Sequence, residues 1–192
     1  MTKLSDINIG IIGATGAVGV EALKLLEKIN HPKNKISLFA SERSTGKLVE
    51  YNKDKIQILE ANEDNLKKID VGLISVSSEV SENLAPIIVN NGGIVIDDGS
   101  AFRMKEEVPL VVPEINEKDL DFHKGIISIP NCTTTPMVMA IDALNKICKV
   151  NKVIVSTYQA VSGTGKEAVN ELKNQLSGDS KMNVYDYKIA NN

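Results

Sequence analysis

Short apolar runs alternate with longer stretches in which apolar residues recur every three or four positions, and this alternation organises the chain. Ile7, Ile9, Ile11 and Ile12 form a run closed by Gly13, the profile of a buried parallel strand. Ala22, Leu23, Leu25, Leu26 and Ile29 then fall at helical spacing and predict a helix over 20–29. Strands are predicted over 36–40, 71–76 and 93–97, with a helix over 80–90 between the last two. Strand patterns at 110–112, 125–129 and 153–158 and helix patterns at 135–147 and 165–176 follow. Strands alternating with helices imply an α/β fold: a doubly wound, mostly parallel sheet covered on both faces. The pattern changes near residue 132, so 1–131 is read as a nucleotide-binding domain. Residues 132–192 are read as the beginning of a second, α+β catalytic and dimerisation domain. The polar stretch 179–192 shows no terminating pattern, and the expectation is either a domain cut short or a disordered terminus.

Composition excludes more than it assigns. The 192 residues are 42% hydrophobic and 24% charged, ordinary for a globular protein. A net charge of −3 offers no broad basic field for nucleic acid, so small molecules or other protein chains are the expected partners. No apolar run approaches the roughly 18 residues that span a bilayer, and the N-terminus has no signal-peptide pattern. Cys132 and Cys148 make a poor disulfide framework, which favours reduced thiols and a cytoplasmic location. No metal site is expected.

The first candidate chemistry lies between the first strand and first helix, where Gly13, Gly16 and Gly19 recur every third residue in Gly13-Ala14-Thr15-Gly16-Ala17-Val18-Gly19. Gly13 permits a tight turn, Gly16 lets the backbone approach a pyrophosphate, and Gly19 lets the helix sit close to its strand. Free N–H groups at the helix start then meet the phosphates. This is the logic of a Rossmann-like dinucleotide site. The second strand ends in Ser41-Glu42-Arg43-Ser44-Thr45. Glu42 could accept the ribose hydroxyls of NAD, but Arg43 with Ser41, Ser44 and Thr45 suits a 2′-phosphate, which favours NADP.

The second candidate is Asn131-Cys132-Thr133, between a strand-like run and a helix pattern. A cysteine near a helix N-terminus is favoured as a thiolate. Intrinsic nucleophilicity falls as a thiol becomes more acidic, so orientation and oxyanion stabilisation must contribute more than activation. The Asn131 amide and the helix-start N–H groups are the candidate oxyanion donors. Cys148, at the end of an apolar helix pattern, reads as a buried structural cysteine.

Six segments occur in order: 13–19, 41–46, Ser100-Ala101-Phe102-Arg103, Val112-Pro113-Glu114-Ile115-Asn116, Asn131-Cys132-Thr133 and Tyr158-Gln159-Ala160-Val161-Ser162-Gly163. Together they resemble aspartate-semialdehyde dehydrogenase over essentially the whole chain. The resemblance implies NADP-dependent reductive dephosphorylation of L-4-aspartyl phosphate to L-aspartate 4-semialdehyde, a step towards lysine, threonine and methionine. It implies Cys132 as the nucleophile that forms a thioester, Gln159 as the substrate-positioning glutamine, and Arg103 with Asn131 as the phosphate subsite. Thr15, Gly16, Ala17 and Val18 match the pyrophosphate turn, Arg43 and Ser44 the adenosine-phosphate contacts, and Ser162 and Gly163 a contact near the nicotinamide. Inorganic phosphate is an implied ligand, and a homodimer or homotetramer the implied assembly.

The chain departs from the family pattern in its histidines. His31 and His123 match no general-base motif, and both read as surface residues. The family's base, its carboxylate-binding arginine and a phosphate-binding lysine have no counterpart here, so the 192-residue chain by itself is expected to be inactive or nearly so. An N-acetyl-glutamyl-phosphate reductase ranks lower, because its cysteine segment usually reads Gly-Cys-Tyr. Glyceraldehyde-3-phosphate dehydrogenase shares a Cys-Thr-Thr run, but the Gln159 segment argues against it. A non-catalytic NADP-binding module is the alternative from outside the enzymes.

Overall fold

The computed structural model describes residues 3–191, which fall into two compact units, one closing at Val153 and the other beginning at Ile154. The first is built on a seven-stranded sheet in the order β3-β4-β2-β1-β5-β6-β7. Its strands are β1 (Ile9–Ile12), β2 (Ile36–Ala40), β3 (Leu48–Tyr51), β4 (Asp54–Glu60), β5 (Val71–Ile74), β6 (Ile94–Asp97) and β7 (Ile126–Ser128). All neighbouring pairs run parallel except β3 with β4. The doubly wound α/β expectation therefore holds, with one antiparallel edge.

Successive residues of the central strands enter different cores, as burial on both faces requires. Ile11 and Leu38 pack with Leu23 of α1 (Ala17–Lys28), whereas Ile12 and Phe39 pack with Ala85 and Ile88 of α3 (Ser78–Asn90). The helices thus cover opposite faces of one sheet.

The β3–β4 hairpin is absent from the sequence reading. Its turn residues Asn52 and Lys53 both have positive φ, 47° and 67°, the backbone of a two-residue turn that usually carries glycine at its second position. Lysine there hides the signal, although Ile56 and Ile58 keep the period of two. The hairpin also corrects the reading of His31, which is buried. Tyr51, itself buried, donates its hydroxyl to His31 O at 2.6 Å, and His31 Nε2 lies 3.1 Å from Ile7 O. A neighbouring pair of strands, distant in periodicity terms, has covered the turn after α1.

Other boundaries shift. The first strand starts at Ile9, and the first helix starts at Ala17 rather than 20. The 110–112 strand reduces to a single bridge between Leu110 and Ser128. A four-residue helix, α2 (Glu63–Leu66), and a second, α4 (Pro113–Asn116), fill stretches without a predicted element. The strand expected over 153–158 does not form. A strand requires a neighbour for its backbone groups, and none pairs with this segment among the described residues; Ile154 and Tyr158 are 85% and 95% exposed.

The helix α5 (Thr134–Asn145) follows β7, and no residue of it is buried. Cys148, just beyond, is exposed rather than structural, because the helix it follows has no core beneath it. In the second unit α6 (Lys166–Leu176) is followed by an irregular stretch that side chains of that helix hold in place, contrary to the expectation of a disordered terminus. No helix among the described residues is long and apolar enough to cross a membrane.

Candidate active site

The glycine turn hangs on the sheet. Gly13 and Ala14 both donate N–H to Phe39 O of β2, at 2.9 and 3.0 Å, and Gly16 N–H closes back onto Gly13 O at 2.9 Å. Gly13 has φ +92°, and a Cβ there would run into the Ser75 carbonyl at the end of β5. A Cβ on Gly19 would meet Gly13 O and come within 2.7 Å of Ala14 Cα, so α1 sits against the turn with no room for a methyl group. Gly16 caps α1 without a side-chain acceptor, leaving the first-turn N–H groups, including those of Ala17 and Val18, for a ligand.

This turn opens onto a cleft of about 490 Å³, lined by Gly13, Thr15 and Gly16 from the turn and by Ser41, Glu42 and Glu60 on the β2–β4 side. Ser75, Val76 and Ser77 close it on the β5 side. The cleft stands at the carboxyl ends of β2, β1 and β5, where strand order reverses on either side of β1 and ligands of open α/β sheets bind. A cradle that Cβ atoms would fill, beside an uncapped helix start, fits a dinucleotide pyrophosphate. Arg43 and Ser44 lie on the short turn after Glu42, with Arg43 exposed and neither among the cleft-lining residues. The Glu60 and 75–77 walls were missed in the sequence because they belong to strands whose adjacency only the sheet order reveals.

Cys132 occupies the same edge of the sheet, beyond the end of β7 and two residues before α5. Its side chain is exposed. Asn131 organises the turn: its Oδ1 accepts from Thr133 N–H at 2.9 Å and from the Thr133 hydroxyl at 2.7 Å. Its carbonyl accepts from the N–H groups of Thr134 and Thr135 at 2.9 and 3.1 Å, and Pro136 has none to offer. The helix-start N–H groups expected to serve an oxyanion are therefore already engaged, an outcome set by the Asx-type turn that Asn131 makes. Cys132 still lies two residues before the positive end of the α5 dipole.

Arg103 braces this loop from beneath. Its Nε donates to Ile129 O at 2.9 Å and its Nη2 to Asp98 O at 2.8 Å, while Ile129 N–H returns to Asp97 O at 3.0 Å. No carboxylate lies within 4.0 Å of Arg103 among the described residues. Two of five guanidinium donors are used on neutral carbonyls, and the charge also favours the ionised form of the nearby buried Asp97.

Asp97 lies under the same clasp, fully buried, with Ser81 of α3 donating its hydroxyl to Oδ2. Burial pushes its pKa above the ordinary 3.8, against the opposing effects of the Ser81 hydrogen bond and the Arg103 charge. A carboxyl shifted upward contributes stability that is fully present below its unfolded pKa and is lost as pH rises through its folded pKa. Asp97→Asn is accordingly expected to gain on the parent as pH rises across that window. Urea unfolding of both proteins at several pH values checks this; a stability difference independent of pH would sink it.

In the second unit, Gln159 precedes the 3-10 turn Val161–Thr164, and its amide folds over that turn: a Cβ on Gly163 would lie 3.2 Å from Gln159 Nε2. Ser162 and Gly163 are exposed on it. Lys166 is exposed at the start of α6, as expected. His123 accepts Gly125 N–H on Nδ1 at 3.0 Å and is half-buried. Among the described residues no group of three or more His, Cys, Asp or Glu is placed to hold a metal.

Comparison with known proteins places this geometry. Residues 8–123 match the model of the semialdehyde dehydrogenase NAD-binding domain, and residues 141–192 match that of the semialdehyde dehydrogenase dimerisation domain. The chain is 48% identical over 169 residues to an aspartate-semialdehyde dehydrogenase of Bacillus subtilis, an alignment covering 88% of this chain and 49% of that one. An aspartate semialdehyde dehydrogenase II from Vibrio cholerae, solved in complex with ASA, superposes with a TM-score of 0.89 at 35% identity, over 97% of this chain and 57% of the other. The Candida albicans enzyme solved with NADP superposes with a TM-score of 0.62 at 26% identity, over 75% and 48% of the two chains. The chain spans about half the length of the curated relatives it matches. By its cofactor-domain fold and by the family model covering most of that domain, the chain belongs to the semialdehyde dehydrogenase family.

Proposed function

We propose that this chain carries the cofactor site and the nucleophile of an NADP-dependent aspartate-semialdehyde dehydrogenase. The observation that carries the reading is the exposed Cys132 at the start of α5, on the same sheet edge as the glycine cleft. A soft nucleophile beside a dinucleotide site suits acyl transfer followed by hydride transfer.

In this mechanism the Cys132 thiolate attacks the acyl carbon of L-4-aspartyl phosphate, the C–S bond forms, and the C–O bond to phosphate breaks to release inorganic phosphate. When bound at the glycine turn, a nicotinamide cofactor would supply the hydride that reduces the thioester; Cys132 would then leave as the thiolate when the C–S bond breaks, releasing the aldehyde. Arg103, held by its two backbone carbonyls, presents charge to the phosphate, and Asn131 is assigned to the same subsite by its motif. Gln159 is assigned the substrate-positioning role by its motif. Thr15, Gly16, Ala17 and Val18 would hold the pyrophosphate; Ser162 and Gly163 are assigned a cofactor contact near the nicotinamide by their motif. Ser41, Arg43 and Ser44 are read as the 2′-phosphate contacts, supported by the Candida albicans relative solved with NADP. Glu42 at the cleft wall is the feature that would favour NAD instead. The apolar, unburied α5, with Leu144 at 54% exposure, supports assembly into a homodimer or homotetramer.

The test is phosphate-dependent reduction of NADP by aspartate semialdehyde, run with this chain and, side by side, with any longer form that carries it. Arg103→Lys keeps the charge but cannot reproduce the two-carbonyl fork. In the form that turns over it is expected to raise the KM for phosphate about tenfold to a hundredfold, the range of one or more lost charge-assisted hydrogen bonds. An unchanged phosphate KM in that variant would remove Arg103 from the site, and turnover without phosphate would remove the acyl-phosphate reaction.

A further inference from the structure

The second unit holds its own irregular stretch by an unusual device: two helix side chains accept from backbone N–H groups that have no strand to bond to. Glu171, one turn before Gln175 on α6, is buried at 4% exposure, and its Oε2 accepts from Asn183 N–H and Val184 N–H, both at 2.6 Å. Gln175, also 4% exposed, accepts Ile189 N–H and Ala190 N–H on Oε1 at 2.9 and 3.1 Å and donates to Lys181 O at 3.0 Å. Its Nε2 lies 3.3 Å from Glu171 Oε1, which joins the two side chains into one network. Burial opposes ionisation of Glu171, but the N–H groups of Asn183, Val184 and Tyr185 outweigh it and hold the carboxyl below its usual range.

The stretch so held carries one side chain back to the turn after Gln159. The Tyr185 hydroxyl donates to Thr164 Oγ1 at 3.0 Å. Thr164 ends the Val161–Thr164 turn, whose backbone among the described residues is tied by short-range bonds: Gly163 N–H to Ala160 O at 3.3 Å and Gly165 N–H to Ser162 O at 3.1 Å. Gly165 beyond it has φ +108° and opens α6 without a side-chain cap. An exposed turn with long hydrogen bonds and a glycine exit has little of its own to hold one shape. Tyr185 supplies a contact 21 residues away in sequence.

We propose that Glu171 and Tyr185 are positioning residues for the 161–164 turn: Glu171 shapes the 183–185 backbone, and the Tyr185 hydroxyl thereby fixes Thr164 and the neighbouring Ser162, Gly163 and Gln159. The link to cofactor rests on the proposed reading of Ser162 and Gly163; the link between the two segments does not.

Amide hydrogen exchange on this chain tests it without any ligand. Tyr185→Phe removes one hydroxyl and leaves the Glu171 contacts in place. It is expected to speed exchange at Gly163 and Gly165 about two- to tenfold, the loss of one hydrogen bond, while protection within α6 stays as in the parent. Thr164→Val should give a similar change, and the double variant no more than either single one. Glu171→Gln, which keeps the shape but loses the charge, should speed exchange at 183–185 and at Gly163 and Gly165 together. Unchanged exchange at Gly163 and Gly165 in Tyr185→Phe overturns the proposal, as does a Glu171→Gln protein that loosens 183–185 alone. NADPH titration separates the two layers. Equal NADPH affinity in parent and Tyr185→Phe overturns the cofactor link, whereas a parent that binds no NADPH sinks the cofactor reading and leaves the exchange result standing.

Discussion

Cys132→Ala is expected to lower turnover by about 10⁴-fold or more in whichever form of the protein is active, because a covalent route loses its only bond-forming atom. That factor corresponds to about 5.5 kcal/mol of transition-state stabilisation. The same substitution should leave folding almost untouched. Cys132 is exposed, and the turn around it is held by Asn131 and Thr133 rather than by sulfur; exposed positions of this kind usually change stability by within about 0.5 kcal/mol. Loss of rate with an unchanged unfolding midpoint and unchanged NADPH affinity is therefore the signature. Cys148 is the matched control, since it is equally a free, exposed thiol but sits in the turn beyond α5. Cys148→Ser should keep the parent's rate. Steady-state kinetics of both variants decide the matter, and a Cys132→Ala enzyme with more than a few per cent of the parent's rate would end the thioester mechanism.

Gly13→Ala should be the most damaging small substitution in the cofactor domain. Two costs fall on it together. The residue has φ +92°, and a Cβ would press on the carbonyl of Ser75, which is backbone at the end of a buried strand and has little freedom to move. Left-handed backbone strain in a non-glycine residue costs about 1–2 kcal/mol, and overpacking a tight interior adds about 1–3 kcal/mol. A loss of about 2–5 kcal/mol in unfolding free energy is expected, with NADPH affinity falling as the turn is displaced from the cleft. Gly46→Ala separates the two costs. Gly46 has φ +86° but nothing within 4 Å of its added Cβ, so it should show the backbone strain alone. Denaturant unfolding of the two variants gives the comparison. Equal losses would mean that contact with β5 contributes nothing, and that the glycine is there for its backbone angle only.

Most of the fold was legible because its strands are local patterns. The runs around Ile11, Leu38, Ile74 and Val95 are apolar on both faces, a property readable without knowing their neighbours, and all four are buried. Where a pattern lacked its customary residue the reading failed. Lys53 in the hairpin turn concealed β3 and β4, and with them the burial of His31. The opposite error came at 153–158, where a strand-like composition has no partner strand among the described residues. Periodicity reports what a segment prefers, whereas strand formation also requires a neighbour to take its hydrogen bonds.

By itself, the sequence determined the glycine turn, the order of the parallel strands' chemistry and the cysteine at a helix start. These depend on residues close together in the chain, whose backbone requirements are local. Only tertiary structure decided that Glu42, Glu60 and Ser75 wall the same cleft, since they stand just beyond β2, at the end of β4 and just beyond β5 and meet through sheet order. It also decided that Arg103 donates to Ile129 O, 26 residues away, and that the Tyr185 hydroxyl reaches Thr164, 21 residues away. Each is a pairing of groups distant in sequence. Hydrogen-bond partners at such separations are chosen by the packing that brings them within reach, and no spacing along the chain encodes that distance.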